Sequence, residues 1–131
     1  MTDTRIDDPL TAYDTAWREE DPRARMALLE TAWASDAIYC DPVDHVVGRA
    51  ALSAHIEGTQ RMLAGGTVKV TTSPVRHHDS AFFRWAIEDR HGATVLTGFD
   101  VVQLDPSGRI ARLTGFFDRD TAAPGAEEAA D

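Results

Sequence analysis

The chain has 131 residues, one cysteine and a formal net charge of −9. That length suits one domain with a real core, and no stretch approaches the eighteen or so apolar residues that a membrane span requires. A lone cysteine, Cys40, excludes an internal disulfide and a CxxC metal pair.

Most of the acidity lies at the ends. Asp3, Asp7 and Asp8 stand against Arg5, and Asp118, Asp120, Glu127, Glu128 and Asp131 stand against Arg119. The middle of the chain is close to balanced, which leaves no basic footprint for nucleic acid or an anionic membrane. The start, "MTDTRIDDP", is acidic and lacks an apolar h-region, so a cytoplasmic protein is expected.

Residues 1–8 are expected to be flexible. Asp8-Pro9 is an N-cap and first-turn pair, and Leu10, Tyr13 and Trp17 follow at helical spacing, predicting a first helix over about 9–20. Asp21-Pro22 repeats the signal, and Met26, Leu29 and Trp33 predict a second helix over about 22–34. A short strand at 37–40 and a loop at 41–47 follow. Leu52, His55, Ile56, Thr59 and Leu63 then share one face of a third helix, about 49–63, which "AGG" at 64–66 terminates.

Beyond that point the period changes to two. "TVKVTTSPVRHH", "SAFFRWAIED", "ATVLTGFDVVQLD" and "RIARLTGFFD" alternate apolar and polar residues between turn signals at Asp79-Ser80, His91-Gly92 and 105–108. The reading is an α+β domain over 9–118, three helices on a curved antiparallel sheet of four long strands and one short one. "TAAPGAEEAAD" has no apolar anchor, so 119–131 is expected to be a disordered acidic tail.

In "LTGFDVVQL" both faces are largely apolar, so the strand is covered on both sides and Asp100 falls where ionisation is costly. It is either a structural carboxyl bonded to a neighbouring element or a site residue. Asp41 is open in the same way, because Asp-Pro is also a turn starter whose side chain bonds backbone two residues on. Cys40 reads as packing, since nothing cationic adjoins it. His55 points partly inward as a core, rim or site histidine. A metal site from Asp41, His45 and His55 matches no helical HxxxH or HExxH spacing, and no metal is expected. The aromatic residues Tyr13, Trp17, Trp33, Phe83, Trp85, Phe116 and Phe117 exceed what a small core needs, which suggests an apolar pocket on the concave side.

The order helix, helix, "WASDAIYCDP…VVGRAAL", helix, hairpin, then "GFDVVQLDPSGRIARLTGFF" resembles the NTF2-like superfamily in its SnoaL-like branch. The resemblance covers about residues 9–118 and implies a cone of curved sheet with a cavity at its wide end. Its mechanistic template is ketosteroid isomerase, where one Asp is the base and a Tyr with a protonated Asp forms the oxyanion hole. By that likeness Asp41 falls on the base and Asp100 on the protonated acid. Trp17 stands where the pattern has its Tyr, with Tyr13 one turn earlier, and His55 faces the cavity. The superposition implies a cone lined by Trp33, Phe83, Trp85, Leu96, Gly98, Val102, Leu113, Gly115 and Phe117, with Tyr13 near it. It also implies a homodimer through the outer sheet face carrying Phe99 and Val101.

Two readings follow from this likeness. One is a cofactor-independent isomerase or polyketide-cyclase type of enzyme acting on a small hydrophobic carbonyl compound. Asp41 would take a proton α to the carbonyl while Asp100 and Trp17, with His55, stabilise the enolate. The other is a non-catalytic module that binds a hydrophobic ligand or only dimerises. An epoxide-hydrolase relay of Asp-Arg-Asp type is disfavoured, because Arg84 alternates with the inward Phe83 and Trp85.

Overall fold

Both N-terminal helices begin in the way their Asp-Pro pairs dictate. The computed structural model describes residues 8–118. The expectations of flexibility for 1–7 and of a tail from 119 lie outside the described residues. Helix α1 runs Pro9–Ala16, capped by the Asp8 carboxylate on the Thr11 N–H at 2.9 Å. Helix α2 runs Pro22–Ala32, capped by Asp21 on the Ala24 N–H at 2.9 Å. Both ends fall short of the sequence expectation. Pro22 disfavours helical backbone at residue 21, and the carbonyls of Trp17, Glu19 and Glu20 are bonded by side chains of α2 and α3 instead of by a longer α1.

Trp33 leaves the helix with φ −122° and opens strand β1, Trp33–Cys40, four residues earlier than expected. Its spacing from Leu29 is helical, but its side chain is buried and stacks on Tyr13 at 5.8 Å between ring centres. Tertiary packing thus decides against helical periodicity here. Strand β2, His45–Val47, occupies part of the expected loop and pairs antiparallel with β1 through Cys40 and His45. Helix α3, Arg49–Leu63, follows.

The remaining strands are β3 Thr67–Val70, β4 Val75–His77, β5 Ser80–Glu88, β6 Thr94–Leu104 and β7 Ile110–Phe117. The expected single strand over 67–78 is two, both paired with β5. Pro74, which has no N–H for a ladder, lies in the break. The sheet order is β2-β1-β7-β6-β5-β3, with β4 beside β5. The fold is the expected α+β cone, but the sheet is mixed, because β1 runs parallel to β7. Register shifts in β1, β5 and β6 bend it around the helices.

Arginines fasten the layers by donating to main-chain carbonyls. Arg49 holds the Trp33 carbonyl at 2.7 Å and Arg109 the Glu30 carbonyl at 2.8 Å. These are the arginines of the two Gly-Arg pairs in the sequence. Arg25 is fully buried and donates to the carbonyls of Glu19, Glu20 and Ser53, to Ser53 Oγ, and to Gln60 Oε1 at 3.1 Å. One guanidinium therefore joins the α1–α2 turn to α3.

The closed core lies beneath the helices, around Leu29, Trp33, Leu52, Ile56, Ile110 and Leu113. On the outer face Phe82, Phe99 and Phe116 form a row with ring centres 5.4 and 5.0 Å apart. Arg84 sits on the same face, 5.6 Å over the Phe99 ring and 3.2 Å from Asp118, so it cannot join Asp41 to Asp100. No helix among the described residues is long and apolar enough to cross a membrane.

Replacing Arg25 by Met should strand these buried acceptors and lower stability by about 3 kcal/mol. The urea unfolding midpoint measures this, and a loss within about 0.5 kcal/mol, typical of an uninvolved surface position, would contradict the role assigned to Arg25.

Candidate functional site

Strand register assembles the site. Asp100 on β6 pairs with Gly115 on β7, and Cys40, next to Asp41, pairs with Thr114. Asp41, Gly115 and Asp100 thus lie in a row across β1, β7 and β6. A side chain at 115 would intrude between the two carboxyls, since its Cβ would stand 2.9 Å from Asp100 Oδ1, closer than a Cβ packs, and 3.4 Å from Asp41 Cβ.

A second row runs beside the first. Gly98 pairs with Trp85 on one side and Phe117 on the other. A Cβ on Gly98 would meet the Trp85 ring at 2.3 Å and the Phe116 carbonyl at 2.1 Å, so the indole lies directly on bare backbone. From that seat Trp85 Nε1 donates to Asp100 Oδ1 at 3.0 Å.

The open end of the cone holds a cavity of about 290 Å³. Of the residues expected there, Tyr13, Trp17, Asp41, His55, Phe83, Trp85, Leu96, Asp100, Gly115 and Phe117 line it. Trp33, Gly98, Val102 and Leu113 do not. Trp33, Val102 and Leu113 belong to the closed core and Gly98 lies under Trp85, so an inward direction did not place them on the wall.

Among the lining residues that sequence reasoning missed, which include Asp14, Asp44 and Lys69, Tyr39 is the one whose side chain bonds a candidate carboxylate. Its hydroxyl donates to Asp41 Oδ2 at 2.6 Å. The signal was present, because residues 37, 39 and 41 share one face of an extended strand. The other Asp41 oxygen accepts the N–H groups of Val43 and Asp44 at 2.9 and 2.8 Å. Asp41 is therefore a turn-forming carboxylate and a cavity residue together, with three of roughly four acceptor positions filled.

Asp100 differs. It is 6% exposed, and burial pushes its carboxyl up to about 7. The Trp85 N–H opposes that rise and the nearby Asp41 charge adds to it. Burial also pushes Tyr13 well above the ordinary phenol range, with Asp100 adding. Tyr39 rises far above it for the same reason, helped by Tyr13 and by its bond to Asp41. The site thus gathers two phenols that hold their protons at neutral pH and one carboxyl poised near neutrality.

On the α3 side the His55 ring lies 5.0 Å from Tyr39 and 5.7 Å from Trp17, with Nδ1 3.8 Å from Asp44 Oδ2. Trp17 packs beside this ring, while the indole that meets Asp100 is that of Trp85. Asp41, Asp44 and His55 present ligand atoms within 4.8 Å of one another and could hold a cation. Asp44 takes the place that His45 had in the sequence expectation. The three hydrogen bonds into Asp41 leave little of it for a metal.

The fold that carries these residues agrees with comparison to known proteins. The sequence matches the SnoaL-like domain model over residues 10–113, and the chain belongs to that family. A candidate isomerase of the SnoaL-like family from Agrobacterium tumefaciens is 33% identical with a TM-score of 0.78, covering 86% of this chain and 99% of its own. A candidate polyketide cyclase from Sinorhizobium meliloti, 21% identical, shares the fold with a TM-score of 0.63 over 84% of this chain and 94% of its own. An NTF2-like protein from an Exiguobacterium species, 17% identical, does so with a TM-score of 0.65 over 84% and 98%. No curated protein matches the sequence.

The raised carboxyl has a sign that can be measured. Between the unfolded value of about 4 and the folded value of about 7, the native state keeps a proton that the unfolded chain has lost. Stability from this group is full below about pH 4 and falls as pH rises to about 7, by roughly 4 kcal/mol in all. Urea unfolding at several pH values should show that fall, and Asp100→Asn should remove it. A slope shared by wild type and variant would exclude Asp100 as its source.

Proposed function

We propose that the protein catalyses proton transfer without a cofactor on a small apolar carbonyl compound, of isomerase or cyclase type. The observation that carries this is the placement of Asp100, a carboxyl poised near neutrality at one wall of an apolar cavity that a second carboxylate shares.

The hydrogen bonding supports exchanging the two roles that the family likeness implies. Asp41 is tied by two backbone N–H groups and a phenol, whereas Asp100 has one donor. We assign Asp100 as the group that takes the proton α to the carbonyl. The electron pair moves onto the carbonyl oxygen, where the Tyr13 hydroxyl donates to the developing enolate. Asp100 then returns the proton to carbon, or to the new alkoxide if a ring has closed. Asp41 and Tyr39 hold the opposite wall, and Trp17 and His55 bound it.

A second reading, a ligand-binding module, is favoured by one observation: the Asp41 turn accounts for that residue without catalysis. In either case the outer row of phenylalanines, with Phe116 and Val101 each 43% exposed in the single chain, is read as the homodimer face.

Exchange of the α-protons of 2-acetylnaphthalene in deuterated water, followed by NMR, separates the readings. The enzyme should accelerate exchange, and Asp100→Asn should cut the acceleration about 100-fold or more. Gly115→Ala should weaken binding by filling the gap between the carboxyls. Binding of the ketone with exchange at the buffer rate would leave the module reading.

A further inference from the structure

We propose that the cavity selects an apolar ammonium ion, a ring-bearing amine in its protonated form, seated between aromatic rings and carboxyl groups. This goes beyond the function proposed above and rests on the same cavity being the ligand site.

The charges on the wall are one-sided. Carboxyl groups reach the cavity from Asp14 on α1, from Asp41 and Asp44 in the β1–β2 turn, and from Asp100 on β6. Lys69 on β3 is the lysine or arginine that reaches it among the described residues, and its Nζ lies 2.9 Å from Glu88. Asp14 is matched by Arg18 at 2.7 Å. Asp41, Asp44 and Asp100 face no lysine or arginine among the described residues, and His55 is the one basic ring beside them. The lining thus offers carboxyl groups without a lysine or arginine partner at Asp41, Asp44 and Asp100, which favours a cation over an anion.

The rest of the wall has the matching chemistry. Tyr13, Trp17, Tyr39, Phe83, Trp85 and Phe117 surround the space, and the faces of such rings attract a cation once water is excluded. Asp100 supplies the buried anchor. Its Oδ1 takes the Trp85 indole, and its Oδ2 has no partner among the described residues. Among the described residues Oδ2 of Asp41 accepts only from Tyr39. An ammonium group in the cavity can donate to Oδ2 of Asp100 and to the remaining acceptor position on Oδ2 of Asp41. Seating it there favours ionised Asp100, so the carboxyl proton leaves to solvent while the amine keeps its own. The phenols Tyr13 and Tyr39 keep theirs.

Three probes sharing one ring system test this at pH 6: protonated 2-(aminomethyl)naphthalene, neutral 2-acetylnaphthalene and anionic 2-naphthoate. Affinity is read from Trp17 and Trp85 fluorescence, and proton release from calorimetry in two buffers of different ionisation enthalpy. The ammonium should bind about tenfold or more tightly than either other probe and release roughly one proton per chain. Asp100→Asn, checked for folding by circular dichroism, should abolish the release and weaken amine binding. Ketone or naphthoate binding as tightly as the amine, or amine binding without proton release, overturns the inference. Ketone binding alone would leave the proton-transfer reading intact, and binding of none of the three would remove both.

Discussion

The hydrogen bond from Trp85 to Asp100 is the contact on which the open end of the cone depends. It exists because Gly98 has no side chain, so the indole can lie across the β6 backbone and reach the carboxyl two residues along. Gly115 does the complementary work on β7, where the missing side chain keeps Asp100 and Asp41 in view of each other. Two glycines on adjacent strands thus determine where an aromatic donor sits and where space remains. A carboxyl buried in such a place costs stability, and the fold retains it beside a cavity rather than in the closed core.

That cost is borne by the other end of the molecule. Beneath the helices the sheet carries only close-packed apolar side chains, and the segments that join the layers are held by arginines on backbone carbonyls. Arg25, Arg49 and Arg109 each anchor a turn or helix end whose carbonyl groups would otherwise need water. The arrangement separates a closed half, in which the Trp33 indole N–H is buried without a partner among the described residues, from a half with open acceptor positions and exposed aliphatic groups such as Val43 and Met62 at the mouth.

Much of this was legible from residue order. The two Asp-Pro starts, the Gly-terminated third helix and the long alternating strands lead to an α+β domain, the family likeness supplies the cone, and the apolar inner face of β6 marks Asp100 as buried, whereas the outer face, expected to be covered, leaves Val101 43% exposed in the single chain. Alternation, however, fixes which face of a sheet a residue takes and not what lies over that face. Val102 and Leu113 point inward as expected and meet helices, while Leu96 and Phe117 point the same way and meet the cavity. Trp33 shows a different limit, since its spacing fits a helix while its ring is required against Tyr13. The parallel pairing of β1 with β7 leaves no local mark at all, because register between strands so distant in sequence is set by the packed whole. At Asp41 the turn reading describes Oδ1, which accepts the Val43 and Asp44 N–H groups, while Oδ2 takes the Tyr39 hydroxyl at the cavity wall.

The central claim is that Asp100 and Asp41 share one dry space. A site-resolved carbon NMR titration of the Asp100 carboxyl, in wild type and in Asp41→Asn, tests it directly. The midpoint should lie near 7 in the wild type and fall when Asp41 loses its charge, because a neighbouring negative charge no longer opposes ionisation. A midpoint near the free carboxylate value of about 3.9, unchanged by the substitution, would contradict the claim and make the two aspartates separate structural groups.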